Sequence, residues 1–365
     1  MGNEFQSLGF LILRIDESWT HPVLPICDIT STSKNKRVPV STFAGNSRRN
    51  VLAPPPAACI ALRPSDKLGL LHTAGVAATT LAGLAMSRLG GIRWFGGQVL
   101  LAVSLVQWFI LLHECGHETL FRRGPLNTLV GRTAAFFSGI PFICWKRVHA
   151  KHHRWTGWQD LDPTTASLVP RPLSPLERSV IHISWKYWVP TFSVLYRVNN
   201  YWNVLRLRKL FGPSREWRQM RLGAIGLLSL YSITIYLVGV RGVIEMVGLA
   251  VFLALVCEDP LILSQHTHIP QHLSRGVNAL PFAALEQEEF TRSLRFPAWV
   301  SKFVLFNFDA HELHHMYPFV PGYHLRRIPY EGVNEIHWWR WLTLAKRIRG
   351  EEFLFRNQND TGIYI

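Results

Sequence analysis

The sequence predicts an all-α membrane protein with about four transmembrane helices and a helical cap on the cytosolic side that carries clustered histidines. Three observations predict this fold class. Of the 365 residues, 48% are hydrophobic, four long runs contain few charged residues, and Lys and Arg concentrate outside those runs. A helix needs about 20 mostly apolar residues to cross the hydrocarbon core of a bilayer. This composition argues against an ordinary soluble domain.

Four segments have the length and composition of membrane-spanning helices. Residues 68–87, 94–112 and 222–240 lack Asp, Glu, Lys and Arg, and residues 242–263 contain only three acids. A buried core helix would explain any one of these runs. Four runs in two closely spaced pairs indicate a bundle of transmembrane helices.

The positive charges predict which way this bundle is oriented. Residues 122–221, between the second and third runs, contain seventeen Lys and Arg, whereas the short turns inside the pairs contain Arg88 and Arg93 in one and Arg241 in the other. Because cytoplasmic loops carry the excess of Lys and Arg, both short turns should face away from the cytosol. We therefore expect every histidine cluster to face the cytosol.

The composition also predicts three parts of the chain. Residues 31–50 are rich in Ser, Lys and Arg and lack acids, and three consecutive prolines follow at 54–56, so residues 1–66 should form a poorly ordered N-terminal tail. A targeting segment and a misassigned start codon are both compatible with this tail. A membrane domain should cover residues 67–330, and a C-terminal cytosolic helix and tail should cover residues 331–365.

Nine histidines lie in three clusters and one separate position. The clusters are HECGH (His113, His117), HAKHH (His149, His152, His153) and HELHH (His311, His314, His315), and His266 lies in SQHTH. Histidines four residues apart lie one turn apart on the same face of a helix, which suits metal binding. One zinc ion needs three or four ligands, so nine histidines point to two metal ions held almost wholly by nitrogen.

These clusters carry a family resemblance. HECGHETLFR, HAKHHRWTGWQDLDP, SQHTH and NFDAHELHHMYPFVPGYHL together resemble the integral-membrane fatty acid desaturase superfamily, whose three histidine boxes bind a non-haem diiron centre. The resemblance extends over residues 68–329. It implies that all nine histidines bind two iron ions and that O2 is a co-substrate. His268 and His272 compete with His266 for the ligand role near the fourth run, and SQHTHIP aligns best with His266.

Four polar residues beside the boxes are candidates to support the ligands: Glu114, Asp162, Asn307 and Asp309. Imidazoles that bind a metal usually donate their other N–H to a carboxylate or carbonyl oxygen, which orients the ring. A helix cap or a solvated turn is the alternative role for each of these residues.

The resemblance implies an oxygen-dependent oxidoreductase that introduces a double bond into a fatty acyl chain, carried by a lipid, a thioester or a free acid. A hydroxylase, ketolase or oxidative decarboxylase on the same diiron scaffold is the alternative. HECGH also fits the HExxH pattern of a membrane zinc protease, with Glu114 as its base. That reading leaves the second and third boxes without a role. A metal-binding membrane receptor without catalytic activity is a further alternative.

Charge and cysteine usage bear on the partners. The net charge of +15 suits contact with anionic lipid and with an acidic redox carrier. The five cysteines show no CxxC spacing, which argues against a disulfide framework or an iron–sulfur cluster, and the sequence has no haem-binding motif. The resemblance then implies a separate ferredoxin or b-type cytochrome with its reductase as electron donor. Nucleic-acid binding is disfavoured, because the basic residues flank hydrophobic runs.

Overall fold

The computed structural model describes residues 53–365, so most of the predicted N-terminal tail lies outside the described residues. In chain order the main helices are α1 (Asp66–Met86), α2 (Ile92–His117), α3 (Gly124–Ser138), α4 (Phe142–Trp155), α5 (Pro175–Tyr187), α6 (Thr191–Arg197), α7 (Val204–Phe211), α8 (Arg215–Val238), α9 (Val240–His266), α10 (His311–Met316), α11 (Gly322–Leu325), α12 (Trp338–Ala345), α13 (Gly350–Phe355) and α14 (Gln358–Thr361). Short 3-10 helices cover Pro56–Cys59, Ala166–Leu168 and Ala284–Phe290, and π-helical turns cover Val198–Trp202, Ile244–Gly248 within α9, and Val300–Val304.

The described part of the chain contains almost no β-structure. Strand β1 (Leu294–Arg295) pairs in parallel with β2 (Ile336–His337), and this two-stranded pair joins the segment before the third histidine box to the C-terminal region. Four helices, α1, α2, α8 and α9, are long and apolar enough to cross a membrane. The predicted all-α fold class with four spanning helices is confirmed.

The spanning helices extend beyond the predicted apolar runs. Helix α2 continues five residues past residue 112 to His117 and ends where Glu118 adopts a left-handed backbone, with φ 61°. Helix α8 begins at Arg215, because the Ser214 side chain caps it by accepting a hydrogen bond from the Trp217 amide. The charged first turns of α8 carry no hydropathic signal, so an apolar window cannot detect them.

Helix α9 contains buried acids, and each has a partner outside the helix. Glu258 pairs with Arg197 of α6, and the Asp259 carboxylate accepts a hydrogen bond from the Ser193 amide at 2.5 Å. Since an unpaired buried charge is costly, these contacts explain how α9 continues past its acids to His266.

Helix α2 is the centre of the bundle. It packs against α1, α3 and α9, and 67% of its most apolar window is buried, against 22% for α1, 11% for α9 and 6% for α8. The faces that α1, α8 and α9 leave exposed are rich in Leu, Ile and Val. Such faces suit contact with lipid.

The first described residues of the chain pack against the helix of the third histidine box. Cys59 is buried beside Leu313 and Tyr317, and the Tyr317 hydroxyl donates to the Pro54 carbonyl at 2.6 Å. Residues 53–66, assigned to the tail by composition, therefore contact the box.

The C-terminal region packs on α5, where the Trp185 ring stacks on Phe353 of α13 with centroids 4.4 Å apart. The division of the chain at residues 66 and 330 stays a prediction.

Candidate metal centre

The first histidine box lies on the last turns of α2. Leu111, Leu112 and Cys115 are fully buried around it, which anchors this end of the helix in the core. His113 and His117, four residues apart, place their rings on the same face with centroids 4.9 Å apart. The Cys115 side chain lies within the apolar core rather than among the histidines.

The second and third boxes lie on α4 and α10. His149 and His152 of α4 are buried, and all three box histidines of α10 are buried. A tight turn precedes α10, in which Phe306 and Asn307 both adopt positive φ, 49° and 61°. This turn brings the short α10 against the ends of α2 and α4, because its residues hydrogen-bond back to Ser301 and forward to Gly322.

The structure gathers eight histidines into two groups of four. Within each group, the potential ligand nitrogens all lie within 4.8 Å of one another. The first histidine group contains His113, His117, His149 and His314, and the second histidine group contains His152, His266, His311 and His315. The second and third boxes contribute to both groups, so no box corresponds to a single metal position.

The ninth histidine, His153, lies between the groups. Its Nε2 is 3.2 Å from Nε2 of His149 and 3.0 Å from Nε2 of His314, both in the first group. Its ring stacks on His315 of the second group, with centroids 4.2 Å apart. All nine predicted ligands therefore lie together, and their assignment as metal ligands stays a prediction.

Two of the predicted supporting carboxylates contact imidazoles. Asp162 accepts a hydrogen bond from His152 Nδ1 at 2.7 Å, and the Thr164 hydroxyl donates to its other oxygen at 2.9 Å. Glu114 accepts from His113 Nδ1 at 3.2 Å. The Glu114 carboxylate also accepts from Thr119 Oγ1 at 2.9 Å and from the Gly322 amide at 2.8 Å, which ties α2 to α11.

Asn307 and Asp309, the other two candidates, have different partners. The Asp309 carboxylate accepts from Ser301 Oγ at 2.7 Å and from the Arg326 guanidinium at 2.7 Å, and Asn307 Nδ2 donates to the Gly322 carbonyl at 2.8 Å. Among the described residues the Asp309 carboxylate thus contacts Ser301 and Arg326 and no imidazole, and its role beside the ligands stays a prediction. A charged guanidinium is a stronger partner for a buried carboxylate than a neutral imidazole is.

Two supporting contacts were not predicted from the sequence. The buried Gln287 side chain accepts from His315 Nδ1 at 2.9 Å and donates to the His153 carbonyl at 2.7 Å, so it links the second box to the third. His266 Nδ1 donates to the Phe290 carbonyl at 3.1 Å. The 3-10 helix Ala284–Phe290 supplies both contacts, and no motif marks it, because a backbone carbonyl and a lone glutamine leave no pattern in the sequence.

The structure separates the three histidines that compete near the end of α9. His266 Nε2 lies 2.9 Å from His311 Nε2 inside the second group. His268 instead donates to the Arg356 carbonyl at 2.9 Å, and the His272 ring stacks on Phe282. The geometry thus favours His266 over its two neighbours.

The chemical state of the rings fits metal binding. Burial, reinforced by neighbouring imidazoles, lowers the pKa of His149, His153, His311, His314 and His315 well below the usual range, which keeps these rings neutral. The neutral imidazole is the form that binds a metal ion. Within residues 53–365, several buried ring nitrogens have no hydrogen-bond partner: Nε2 of His113, His117 and His315, and Nδ1 of His149 and His311. A bound metal ion would satisfy buried ring nitrogens of this kind.

An apolar cavity of about 70 Å³ borders both groups, several times the roughly 10–15 Å³ that one water needs. Its walls include Phe109, Phe308, Leu168, Ile262 and Tyr196, together with histidines of both groups. Trp145 also lines it and stacks on His149 with centroids 4.8 Å apart. Histidines of both groups therefore line one mostly hydrophobic space.

Comparisons with known proteins agree with this arrangement. A family model described as fatty acid desaturase matches residues 92–343. An sn-1 oleoyl-lipid 12-desaturase of Picosynechococcus sp. is 26% identical over 268 residues, which cover 69% of this chain and 71% of that protein. A chloroplastic omega-6 fatty acid desaturase of Arabidopsis thaliana is 22% identical over 250 residues, 66% of this chain and 53% of that protein. An endoplasmic-reticulum omega-6 fatty acid desaturase of Glycine max is 27% identical over 315 residues, 79% of this chain and 73% of that protein. The matched part of the chain spans only about half the length of the Arabidopsis relative.

Proposed function

This chain belongs to the fatty acid desaturase family, and from that premise we propose that it uses O2 to introduce a double bond into a fatty acyl chain. The resemblance carried by the histidine boxes is confirmed by the family match. The observation that carries the proposed reaction is the convergence of two four-histidine groups beside one apolar cavity.

Two irons are the proposed occupants of the histidine groups, and they would supply the oxygen activation and C–H cleavage that no acid–base pair achieves. Imidazole suits iron, copper and zinc, and the family implies iron. The residues of the chain would bind the metal ions and orient the acyl chain. The first histidine group would hold one ion and the second the other, and His153, in contact with both groups, lies between the two positions.

The cavity walls would position the acyl chain. Phe109, Phe308 and Ile262 present apolar surface on the side of the histidines, which excludes water and holds a methylene close to the metal positions. Thr164 and Gln265 supply polar groups in the same lining. The distance from an anchored headgroup to the histidines would then select the carbon that reacts.

The names of the relatives support a lipid-linked chain as the substrate. The Picosynechococcus protein is named for an oleoyl lipid and for position 12, and the plant proteins for omega-6. We extend this to the present chain as a proposal, with an acyl thioester or free acid as the alternative substrates.

A separate ferredoxin or b-type cytochrome with its reductase would supply two electrons for each double bond. The lysines and arginines of residues 122–221 would place the histidine side of the bundle in the cytosol, by the positive-inside rule. They would also attract an acidic carrier, so the reaction rate should fall as salt is raised.

The test is expression in a host that supplies a compatible electron donor, followed by mass spectrometry of the host lipids. We expect a product that has lost two hydrogens relative to its precursor. A product that has gained one oxygen would show that the enzyme is a hydroxylase and not a desaturase. A shortened hydrocarbon would show that it is an oxidative decarboxylase.

A matched pair of variants tests the site in the same host. His266→Ala should abolish every product, because His266 lies in the second histidine group, whereas His268→Ala should retain most of the product, because its ring bonds to Arg356 and Thr361. Immunoblots of the membrane fraction control for expression. The reverse result, with His268 essential and His266 dispensable, would overturn the ligand assignment.

A further inference from the structure

Helix α5 carries an apolar stripe that no part of the described chain covers. Leu176, Val180, Ile183 and Tyr187 follow the i, i+4, i+7, i+11 spacing of one helix face. Their exposed fractions are 47%, 38%, 51% and 66%. With 13 residues, α5 is too short to cross a bilayer. A contiguous exposed apolar face of this kind marks an interaction surface.

The other faces of α5 contact the rest of the protein or water. Ile181, Ser184 and Trp185 are buried, and Trp185 stacks on Phe353, so this face packs against α13. Lys186 is exposed and lies on neither the buried face nor the stripe, whereas Arg178, seven residues before Trp185, is exposed at the edge of the buried face. The helix therefore has one face toward the protein, one toward water and one apolar face between them, which is the pattern of a helix that lies in a membrane interface.

Contacts at the start of α6 fix the depth of this region relative to a spanning helix. The Ser193 amide donates to Asp259, and the Ser193 hydroxyl donates to the Leu255 carbonyl at 3.3 Å, both on α9. Leu255 lies eleven residues before His266, which is about 16 Å along the helix axis. The junction between α5 and α6 is thus alongside the span and not on the far side of the cap.

The residues around that junction continue the stripe toward the span. Trp188, Val189 and Val194 are exposed by 40%, 45% and 43%. Tryptophan and tyrosine are enriched at the boundary between lipid and water, where Lys and Arg can also reach the headgroups. Lys186 fits this placement, since its Nζ lies 5.3 Å from the centroid of the Tyr187 ring.

We propose that the α5 stripe, defined as Leu176, Val180, Ile183 and Tyr187, lies in the lipid leaflet on the histidine side, with Lys186 at the headgroups. The occupant of the stripe is the bilayer itself. Thr164, Thr165 and Leu168, which precede α5, line the cavity beside the histidines. A lipid-bound α5 therefore holds one wall of that cavity at the boundary from which an acyl chain would come.

The test measures the reactivity of single introduced cysteines in nanodiscs that hold one copy of the chain. Ile183→Cys probes the stripe, and Arg178→Cys, exposed on the same helix about 140° around the axis from Ile183, is its matched control. Both are made in a background with Cys27→Ser and Cys257→Ser, because Cys59, Cys115 and Cys144 are buried. Since a maleimide reacts with thiolate in water, we expect Ile183→Cys to react at least about tenfold more slowly than Arg178→Cys.

The controls separate lipid from other causes of protection. Both cysteines should react equally after denaturation in SDS, and both variants should elute as monodisperse species on gel filtration before reconstitution. Equal reaction rates in the single-copy nanodiscs would overturn the proposal. Protection found only in discs that hold two copies would also overturn it, because a second chain would then be the occupant of the stripe.

Discussion

The two histidine groups differ in what holds their rings in place. In the second group, three of the four rings donate from Nδ1 to a partner outside the histidines: to Asp162, to the Phe290 carbonyl and to Gln287. In the first group, among the described residues, only His113 has such a partner, Glu114 at 3.2 Å.

The first histidine group is held mainly by packing instead. The Trp145 ring stacks on His149, and Phe308 makes an edge contact with His113 at a centroid distance of 5.1 Å. Hydrogen bonds to Nδ1 orient an imidazole and raise its basicity, whereas aromatic packing only restricts its position. The difference therefore predicts two unequal metal positions, with tighter binding in the second group.

The largest expected effect comes from removing one ligand in each group. His152→Ala and His314→Ala should each lose about one of two bound ions and all desaturase activity, because a three-nitrogen position binds more weakly and both ions are needed. Metal analysis of the purified protein measures the loss. Loss of both ions in either variant would show that the groups do not bind independently and would remove the basis of the comparison.

The next largest effect comes from removing the carboxylate that supports one imidazole in each group, and it tests whether the two groups differ in metal affinity. Asp162→Asn should weaken metal binding by the second group by about 10-fold to 100-fold, the usual cost of losing a partner of a ligating imidazole. Glu114→Gln, the matched change beside the first group, should cost less, since its contact to His113 is 3.2 Å against 2.7 Å for Asp162 and His152. Competition with a chelator gives both affinities. A larger loss for Glu114→Gln would reverse the ranking.

A smaller effect is expected at Gln287, which contacts both boxes. Gln287→Glu keeps an acceptor for His315 Nδ1 but loses the donor to the His153 carbonyl, and Gln287→Leu loses both. We expect Gln287→Leu to weaken metal retention by up to about tenfold and Gln287→Glu to restore most of that loss. The measurement is the rate of metal release to excess chelator. Equal rates for the two variants would mean that Gln287 fills space and does not orient His315.

The sequence predicted the structural features that a run of apolar residues or a spaced motif encodes. The four spanning helices follow from apolar runs, and the box histidines follow from their spacing, so both could be predicted without a structure. Helix α2 also shows the limit of this reasoning. Its predicted run ended at residue 112, because His113 and Glu114 are polar, although the helix continues to His117 and carries the first box on its last turns.

The partition of the boxes into groups could not be predicted from spacing. His149 and His152 are three residues apart on α4, yet they belong to different groups, because α2 approaches one and α9 approaches the other. The role of Gln287 depends on a 3-10 helix far from any box. Such contacts arise from tertiary packing, and the local sequence does not encode them.

The smallest effect on the metal is expected at Asp309, where sequence reasoning placed support for a ligand. Asp309 bonds to Ser301 and Arg326, so Asp309→Asn should leave the metal content of both groups unchanged. It should instead lower the free energy of unfolding by about 1–3 kcal/mol, because a buried charge-assisted hydrogen bond is lost and Arg326 keeps, among the described residues, one acidic partner, Glu335. Thermal unfolding in detergent, paired with metal analysis, measures both quantities. A loss of metal without a loss of stability would return Asp309 to the supporting role that the structure gives to Asp162 and Gln287.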